Sequence, residues 1–421
     1  MKEILKKFIP PFLLNLYYFI LAFLGALIYS FPSRKIKVIG VTGTNGKSTV
    51  VEMVSKILGE AGYKVASISS IKFKIGDKEW LNTLKMTMPG RFKIQKFLRQ
   101  AAEANCQYLV LEVTSEGIKQ HRHQFIDFAV AVFTNLTPEH IEAHGGFERY
   151  REAKGKLFKA TKDIHIINLD DENAEYFLRF PAHKKIGFTL NEMRGEPFSA
   201  IKAKNIQVLK SGLKFFVDDT EFNLKLLGEF NIYNALAAIC VGLSQGISLE
   251  TCKKALEKIE VIPGRMEEAI TKPFKVFVDY AFTPNALEKA YQTIKNNFKP
   301  KKLICVLGAA GGGRDKWKRP ILGKLTREYC DEVIVTNEDP YNEDPMEIIN
   351  QVADGAGGKA KKFLDRRKAI SEALKIAKEG DVIIITGKGC EPWICVTGGK
   401  KIPWDDRQVV KDEFRKIYEK V

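Results

Sequence analysis

From residue 36 onward, the chain alternates short apolar runs with segments of helical period. Segments such as Val50–Leu58 and Ile370–Ala377 place apolar residues on one face of a helix. The apolar runs predict β-strands at Lys37–Val41, Val65–Ile71, Tyr108–Val113, Phe128–Phe133, Ile164–Leu169, Val276–Tyr280, Leu303–Leu307, Glu332–Thr336 and Asp381–Thr386. Such alternation predicts parallel sheets covered by helices, so the expected fold class is α/β. Residues 200–227 favour antiparallel hairpins instead.

Length and one break in the pattern predict how the chain is divided. At roughly 150 residues per domain, 421 residues correspond to two or three domains. Pro263-Gly264 interrupts a helical segment just before a new series of strands, which indicates a boundary. We therefore predict a hydrophobic segment at 1–35, a central α/β domain at 36–263 and a C-terminal α/β domain at 264–421.

The hydrophobic segment contains twenty consecutive residues without a charge, from Phe12 to Phe31. As a helix, these residues would span about 30 Å, the thickness of a bilayer core. We predict that residues 12–31 form a single membrane anchor or associate deeply with a membrane. A buried helix is the alternative, whereas a signal peptide is disfavoured because no cleavage site of small residues follows.

Charge and cysteine content narrow the possible partners and compartment. Lys and Arg outnumber Asp and Glu by 67 to 51, a net charge of +16, which indicates an anionic partner. Nucleic acid is disfavoured because the chain has no recognised module and no interleaved aromatic and basic motif. The seven cysteines form no C-x-x-C pair. Their scatter predicts neither a disulfide framework nor a zinc site, and fits a reducing compartment.

A phosphate-binding loop is predicted between the first strand and the helix that follows it. Its residues are Gly43, Thr44, Asn45, Gly46, Lys47, Ser48 and Thr49. Glycines let backbone N–H groups face phosphate oxygens, and the helix start adds its positive dipole end. Lys47 supplies charge for the terminal phosphates, and Ser48 offers a hydroxyl to Mg²⁺. The strict eight-residue motif fails, because Val41 stands where its first glycine belongs.

Glu112 is a candidate metal ligand on a neighbouring strand. It ends the apolar run that starts at Tyr108. Parallel strands place ligand sites at their carboxyl ends. We therefore expect its carboxylate to reach a metal beside the phosphate loop.

Taken together, these and later segments resemble the Mur ligase family of ATP-dependent amide ligases, which add amino acids to the peptidoglycan precursor. The matching segments are VTGTNGKST (41–49), LEVTSEG (111–117), FTNLTPEHIEAHG (133–145), YREAKGKLF (150–158), INLDDENA (167–174), LLGEFNIYNALAA (226–238), PGRME (263–267), VDYAFTPNAL (278–287), GGRDKWKRP (312–320), TNEDPYNEDP (336–345), ITGKGCE (385–391) and WDDR (404–407). The resemblance covers nearly all of residues 36–421 and is strongest to the tripeptide synthetases. It implies a phosphate-loop ATPase domain followed by a Rossmann-like C-terminal domain.

The resemblance also implies which residues carry the chemistry. Glu112 and His140 would hold Mg²⁺, two ions being expected in the site. Lys154 would carry a carbamate formed with CO₂, which turns an ammonium into a carboxylate able to ligate a metal. ATP would be contacted by Asn231, Asn234, Arg265 and Asp279 in addition to the loop. Remaining counterparts of substrate contacts are Thr87, Ser115, Arg122, Arg314, Asp339, Tyr341, Gly387 and Glu391.

Two departures from the family pattern affect the substrates. The uridine-binding N-terminal domain of the family has no counterpart, since the match begins near Lys35, straight after the apolar segment. The D-N-P-R motif that selects meso-diaminopimelate reads Glu338-Asp339-Pro340-Tyr341. Because its arginine is absent and two acids are present, we expect an amino acid with a cationic end, such as lysine or ornithine.

The expected reaction is addition of an amino acid to a muramoyl-peptide-like carboxylate through an acyl phosphate. A membrane-anchored ligase like the poly-γ-glutamate synthetases and a non-catalytic ATP-binding scaffold remain alternatives. Folate polyglutamation is disfavoured, because it needs no membrane segment. We expect a monomer, with its catalytic part at the cytoplasmic face of the inner membrane, or in the cytoplasm if the apolar helix does not insert, because it uses ATP.

Overall fold

The computed structural model describes residues 10–192, 199–358 and 360–419. Its main feature is two separate, mostly parallel sheets covered by helices, which confirms the α/β prediction. The helices are α1 (Pro11–Ile28), α2 (Lys47–Glu60), α3 (Arg91–Glu103), α4 (Ser115–Lys119), α5 (Ile141–His144), α6 (Phe147–Ala160), α7 (Ala174–Leu178), α8 (Phe230–Ser244), α9 (Leu249–Glu257), α10 (Pro284–Phe298), α11 (Lys318–Tyr329), α12 (Pro345–Gly355), α13 (Arg366–Ile376) and α14 (Asp406–Tyr418). Short 3₁₀ turns lie at Pro32–Lys35 and Thr397–Gly399.

The first sheet has eleven strands in the order β11-β10-β9-β8-β7-β6-β1-β5-β2-β3-β4. Its strands are β1 (Lys37–Thr42), β2 (Val65–Ile68), β3 (Lys72–Ile75), β4 (Lys78–Leu81), β5 (Tyr108–Glu112), β6 (Phe128–Phe133), β7 (Ile164–Asn168), β8 (Lys184–Thr189), β9 (Ser199–Leu209), β10 (Gly212–Val217) and β11 (Thr220–Leu224). The strands from β9 to β2 in this order pair in parallel, and both ends continue as antiparallel hairpins. The hairpins expected around residues 200–227 are therefore present.

The second sheet has six strands in the order β12-β13-β17-β14-β15-β16, and all but the β12–β13 pair are parallel. The strands are β12 (Glu267–Ile270), β13 (Lys275–Asp279), β14 (Leu303–Leu307), β15 (Glu332–Thr336), β16 (Ala360–Phe363) and β17 (Val382–Thr386), followed by the separate hairpin of β18 (Trp393–Val396) and β19 (Lys400–Pro403). Each sheet is packed on both faces by apolar clusters. Burial on both faces explains why the central strands are continuous apolar runs.

The apolar N-terminal segment forms α1, which packs against α3 of the first domain. Ala22 and Ala26 are buried, and a Cβ on Gly25 would lie 3.5 Å from the carbonyl oxygen of Arg91. The Arg91 guanidinium stacks 4.0 Å from the ring centre of Tyr18. In the part of the chain described above, no helix combines the length and the apolar content needed to cross a membrane. The predicted spanning anchor at residues 12–31 is therefore not confirmed.

The cysteines differ from the sequence-based expectation at one pair, which forms a disulfide although no disulfide was predicted. Cys305, on β14, and Cys330, just after α11, are both buried and form a disulfide. Their spacing of 25 residues carries no sign of this pairing. The two meet because the chain turns back from α11 into β15, which lies beside β14 in the sheet.

Candidate active site

The loop between β1 and α2 has a backbone shape that requires glycine at two positions. Gly43 and Gly46 have φ angles of 150° and 82°. A Cβ on Gly43 would lie 1.9 Å from Thr134 Oγ1, and one on Gly46 would lie 2.3 Å from Asn234 Oδ1. Any larger residue would clash at either position. The loop therefore curls tightly around the N-terminus of α2, as a phosphate-binding loop does.

Hydrogen bonds to Asn135, just after β6, and to Tyr150 on α6 hold this loop in place. The backbone N–H of Thr44 donates to the Asn135 carbonyl at 2.8 Å, and the N–H of Asn45 donates to Asn135 Oδ1 at 2.9 Å. The Thr44 hydroxyl lies 3.0 Å from the hydroxyl of the buried Tyr150. Lys47 Nζ donates to the Thr44 carbonyl at 2.8 Å. The loop is thus rigid on its outer side and leaves its inner side to a ligand.

Ser48 and Glu112 are in direct contact at the start of α2. Ser48 Oγ donates to Glu112 Oε2 at 2.7 Å, and the backbone N–H of Ser70 donates to the same oxygen at 2.9 Å. Lys47 Nζ lies 3.9 Å from Glu112 Oε1. Burial lowers the pKa of Lys47, although Glu112 opposes this effect. A hydroxyl beside a buried carboxylate is the oxygen donor set that Mg²⁺ prefers.

His140 and Lys154 line the same cleft as the loop. Lys154 is fully buried and donates from Nζ to the Gly43 carbonyl at 2.6 Å. Burial, and next the charge of Lys47, hold the pKa of Lys154 well below its usual range. Burial and the nearby Arg314 lower the pKa of His140 to about 2, so its imidazole is neutral and able to ligate.

The described residues contain no group of three His, Cys, Asp or Glu side chains arranged around one metal position. The implied Mg²⁺ set includes a serine and a modified lysine, so it is not expected to form such a group. The Ser48–Glu112 contact beside the phosphate loop is the observation that fits a magnesium ion.

The residues expected to contact ATP beyond the phosphate loop lie on two other walls of the cleft. On α8, Asn234 Nδ2 donates to Asn231 Oδ1 at 2.9 Å, and Asn231 Nδ2 donates to the Leu227 carbonyl at 2.7 Å. Asp279, at the end of β13, accepts from two backbone N–H groups at 2.7 Å. Arg265 stacks 4.4 Å from the ring centre of Tyr280. All four predicted residues line the cleft.

The residues predicted to contact the acceptor substrate lie on the first domain's side of the cleft. Thr87, Ser115 and Arg122 all line it. Arg122 donates to the Met88 carbonyl through Nη1 and to Gln120 Oε1 at 2.8 Å through Nη2. Burial lowers the pKa of Arg122, with Glu116 opposing this effect. Its guanidinium is therefore held between the β4–α3 loop, through Met88, and the loop after α4, through Gln120.

The second domain supplies the predicted amino-acid contacts at the opposite end. Arg314, Asp339, Tyr341 and Glu391 line the cleft. Gly387 does not line the cleft. It packs closely on Glu338, and a Cβ at this position would lie 2.4 Å from Glu338 Oε2. Burial and the charge of Asp339 raise the pKa of Glu338 to about 7.

Two lysines that contact Asp339 and Glu391 were missed by the sequence analysis. Lys388 donates to Asp339 Oδ2 at 2.9 Å and to Glu391 Oε2 at 2.7 Å. Lys85, from the first domain, donates to the same two oxygens at 2.7 and 2.5 Å. Lys388 lies inside the G-K-G-C-E segment, so the family motif could have indicated it. Nothing in the sequence signals the position of Lys85.

The two domains enclose a cleft of about 1300 Å³, and polar contacts join them across it. Asp315 accepts hydrogen bonds from the backbone N–H groups of Ile141 and Glu142, at 3.1 and 3.0 Å. Lys318 pairs with Glu139 at 2.7 Å, and both side chains are buried. These contacts fix the segment around His140 against the second domain.

A phosphate loop, a serine–carboxylate pair and a second domain closing over both define a nucleotide-dependent two-domain α/β enzyme. Comparison with known families agrees with this class. The Mur ligase middle domain matches residues 41–242, and the Mur ligase glutamate ligase domain matches residues 264–389.

Individual relatives are similar over most of their length. The UDP-N-acetylmuramoyl-L-alanyl-D-glutamate–2,6-diaminopimelate ligase of Syntrophomonas wolfei is 37% identical over 406 residues, which cover 94% of this chain and 81% of the relative. The UDP-N-acetylmuramyl-tripeptide synthetase of a Roseiflexus species is 35% identical, covering 92% and 80%. The chain belongs to the Mur ligase family, whose members are ATP-dependent ligases that form amide bonds.

Solved structures show the same architecture. A UDP-N-acetylmuramoyl-L-alanyl-D-glutamate–2,6-diaminopimelate ligase superimposes with a TM-score of 0.61 at 28% identity, covering 91% of this chain and 79% of the other. The folylpolyglutamate synthase of Mycobacterium tuberculosis gives a TM-score of 0.73 at 17% identity, covering 96% of both chains. The second likeness concerns the fold alone.

Proposed function

We propose that this chain adds an amino acid to a carboxylate of a muramoyl peptide, with conversion of ATP to ADP and phosphate. The observation that carries this proposal is the Ser48–Glu112 contact at the phosphate loop, inside a cleft that both domains line. We assign ATP binding to residues 36–263 and closure over the nucleotide to residues 264–421. The printed names of the relatives support a muramoyl-peptide substrate.

In the proposed site, each part of the nucleotide has its own contacts. Backbone N–H groups of Gly43–Thr49 and the ammonium of Lys47 hold the phosphates. Asn231 and Asn234 contact the base, and Arg265 and Asp279 close on the nucleotide from the second domain. These contacts orient the γ-phosphate towards the acceptor side of the cleft, where Thr87, Ser115 and Arg122 lie.

Two Mg²⁺ ions would be held by Ser48, Glu112, His140 and Lys154. When bound, they neutralise phosphate charge during phosphoryl transfer. Lys154 joins this set after its amine takes up CO₂, which forms a carbamate and releases a proton. Its full burial beside the positive charge of Lys47 supports this role, because both effects favour an uncharged amine.

The reaction then proceeds by two displacements. An oxygen of the acceptor carboxylate forms a bond to the γ-phosphorus while the bond to the β-phosphate oxygen breaks, releasing ADP. The amine nitrogen of the amino acid attacks the acyl phosphate carbon, phosphate leaves, and the amine loses a proton. The protein contributes mainly by positioning both substrates and excluding water, since phosphoryl transfer depends on alignment and charge.

We propose that the amino acid has a cationic end, such as that of lysine or ornithine. Asp339 and Glu391 present two carboxylates at the amino-acid end of the cleft, and Tyr341 stands where the diaminopimelate-selecting arginine of the family belongs. Arg314 lies beside them and suits the carboxylate of the incoming amino acid. A clear preference for diaminopimelate over lysine in product formation would overturn this assignment.

The whole proposal can be tested by ADP release from the purified full-length chain. UDP-linked and lipid-linked muramoyl peptides would be offered with lysine, ornithine, meso-diaminopimelate and glutamate. We expect ADP only when acceptor and amino acid are both present, and a Lys47→Ala variant should release about 100-fold less. Glutamate polymerisation without a muramoyl acceptor would instead support a poly-γ-glutamate synthetase-like ligase. ATP binding without turnover of any pair would support a scaffold.

We further propose that α1 holds the enzyme against the cytoplasmic face of a membrane. Its outward side is apolar and exposed, as shown by Leu16, Ile20 and Leu27 at 51, 44 and 51%. The exposed Arg34 and Lys35 follow directly and suit anionic headgroups. Cosedimentation with anionic vesicles should fall when these three residues are replaced by serine. Replacing the exposed Ile321 on α11 is the matched control, and equal loss in both variants would contradict the proposal.

A further inference from the structure

Lys85 is held in an unusual position on the loop between β4 and α3. Its φ angle of 54° lies in the left-handed region that residues other than glycine rarely adopt. The buried Asn82 fixes both neighbours, accepting from the backbone N–H of Leu84 and donating to the carbonyl of Met86, each at 3.0 Å. This loop therefore presents the Lys85 side chain in one direction, across the cleft.

The Lys85 ammonium ends between two carboxylates of the other domain. It lies 2.7 Å from Asp339 Oδ2 and 2.5 Å from Glu391 Oε2, and its side chain is 12% exposed. Burial lowers the pKa of Lys85, but Glu391 and Asp339 outweigh this effect and raise it above its usual value. Lys85 is thus a charged contact between the domains at the amino-acid end of the cleft.

The same carboxylates have a permanent partner within their own domain. Lys388, whose side chain is 0% exposed, donates to both. The backbone N–H of Cys395 donates to Asp339, and the hydroxyl of Tyr280 donates to Glu391. With Lys388 alone, two carboxylates face one ammonium, which leaves one negative charge unbalanced. Lys85 supplies the second ammonium, and it is the one that domain opening can withdraw.

We propose that Lys85 occupies the subsite that the side-chain ammonium of the amino acid takes between Asp339 and Glu391. This inference rests on the proposed preference for a cationic amino acid. Lys85 closes the empty cleft and must be displaced by the substrate. A neutral side chain cannot replace its charge, since the unbalanced carboxylate would then be buried without a partner. Lys85 therefore acts as a specificity residue that admits cationic amino acids.

The test compares wild type with Lys85→Met, which keeps the length of the side chain and removes its charge. Lys85→Arg retains a cation at the same place. Lys401→Met is the matched control, because Lys401 also joins the domains at this loop, donating to the Thr83 carbonyl at 3.3 Å without touching the carboxylates. Two quantities are measured: the KM for lysine in ADP release, and the radius of gyration by small-angle scattering with ATP but without amino acid.

Loss of the competing ammonium should lower the KM for lysine in Lys85→Met by about tenfold. The radius of gyration should increase in this variant and return to the wild-type value when lysine is added. Lys85→Arg and Lys401→Met should both behave as wild type. A KM that is unchanged or raised in Lys85→Met, in an enzyme that does use lysine, would overturn the role of Lys85 alone. A wild type that uses only neutral or anionic amino acids would overturn the proposed amino-acid preference.

Discussion

Replacing Lys318 by methionine tests whether closure of the two domains depends on one buried ion pair. Lys318 Nζ lies 2.7 Å from Glu139 Oε1, and the two side chains are only 4 and 3% exposed. Burial raises the pKa of Glu139, and the charge and hydrogen bond of Lys318 oppose this effect. Without the lysine, a closed cleft would contain a buried carboxylate that has lost its ion-pair partner and keeps only the weaker attraction of Arg314.

Removing one partner of a buried pair costs about 3–5 kcal/mol. Since 1.4 kcal/mol corresponds to a factor of about ten, the closed form should lose roughly 10²-fold or more relative to the open form. Opening returns Glu139 to water and ends the penalty, so the free energy of unfolding should change much less. We therefore expect kcat/KM for ADP release to fall about 100-fold, while urea denaturation shows a small shift.

The double variant Lys318→Met, Glu139→Met is the control. Replacing both charges by apolar side chains of similar volume is often neutral, so closure should largely return. The single variant should also regain activity as the pH falls. A carboxyl whose pKa is higher in the closed state takes up a proton on closing, so its penalty is full above that pKa and disappears below it. Equal losses in single and double variants, or a pH-independent deficit, would refute the reasoning.

Three further changes test other parts of the structure. Lys154→Ala should reduce ADP release by at least about 100-fold and abolish a carbamate signal from ¹³C-bicarbonate, whereas Lys156→Ala on the exposed side of α6 should retain both. Arg366→Met breaks a fully buried pair with Asp406, so urea denaturation should show a loss of about 3–5 kcal/mol. Asn82→Ala removes three hydrogen bonds of a buried side chain and should lower the free energy of unfolding by about 1–3 kcal/mol.

The parts of the fold that sequence could predict depend on local pattern. The run Phe128–Phe133 is β6 to the residue, and Leu303–Leu307 is β14. Strands buried on both faces must be apolar throughout, so their ends coincide with the ends of the runs. The phosphate loop could be predicted equally well, because a glycine turn between a strand and a helix has a short, recognisable sequence pattern. Ser48 meets Glu112 because β1, the strand that leads into α2, is the parallel neighbour of β5, which ends at Glu112.

The position of α1 could not be predicted in this way. A bilayer and the surface of a protein both accept apolar side chains, so twenty uncharged residues do not distinguish them. The distinguishing signal is finer: Ala22, Gly25 and Ala26 form a small-residue face that lets α1 approach α3 closely. The other side of the same helix remains exposed and apolar, which is why packing on the domain and contact with a membrane surface are compatible.

The predicted amino-acid end of the cleft shows that sequence also does not reveal which charges are already paired. From sequence, Glu338 and Asp339 are two acids and indicate a cationic ligand. In the fold, Asp339 already has two ammonium partners, one from each domain, and Glu338 is buried with a pKa raised to about 7. The charge available to a substrate is therefore the part that appears when the domains separate. On the proposed role of Lys85, specificity is a property of closure, because the cation that the site admits depends on whether Lys85 has left it.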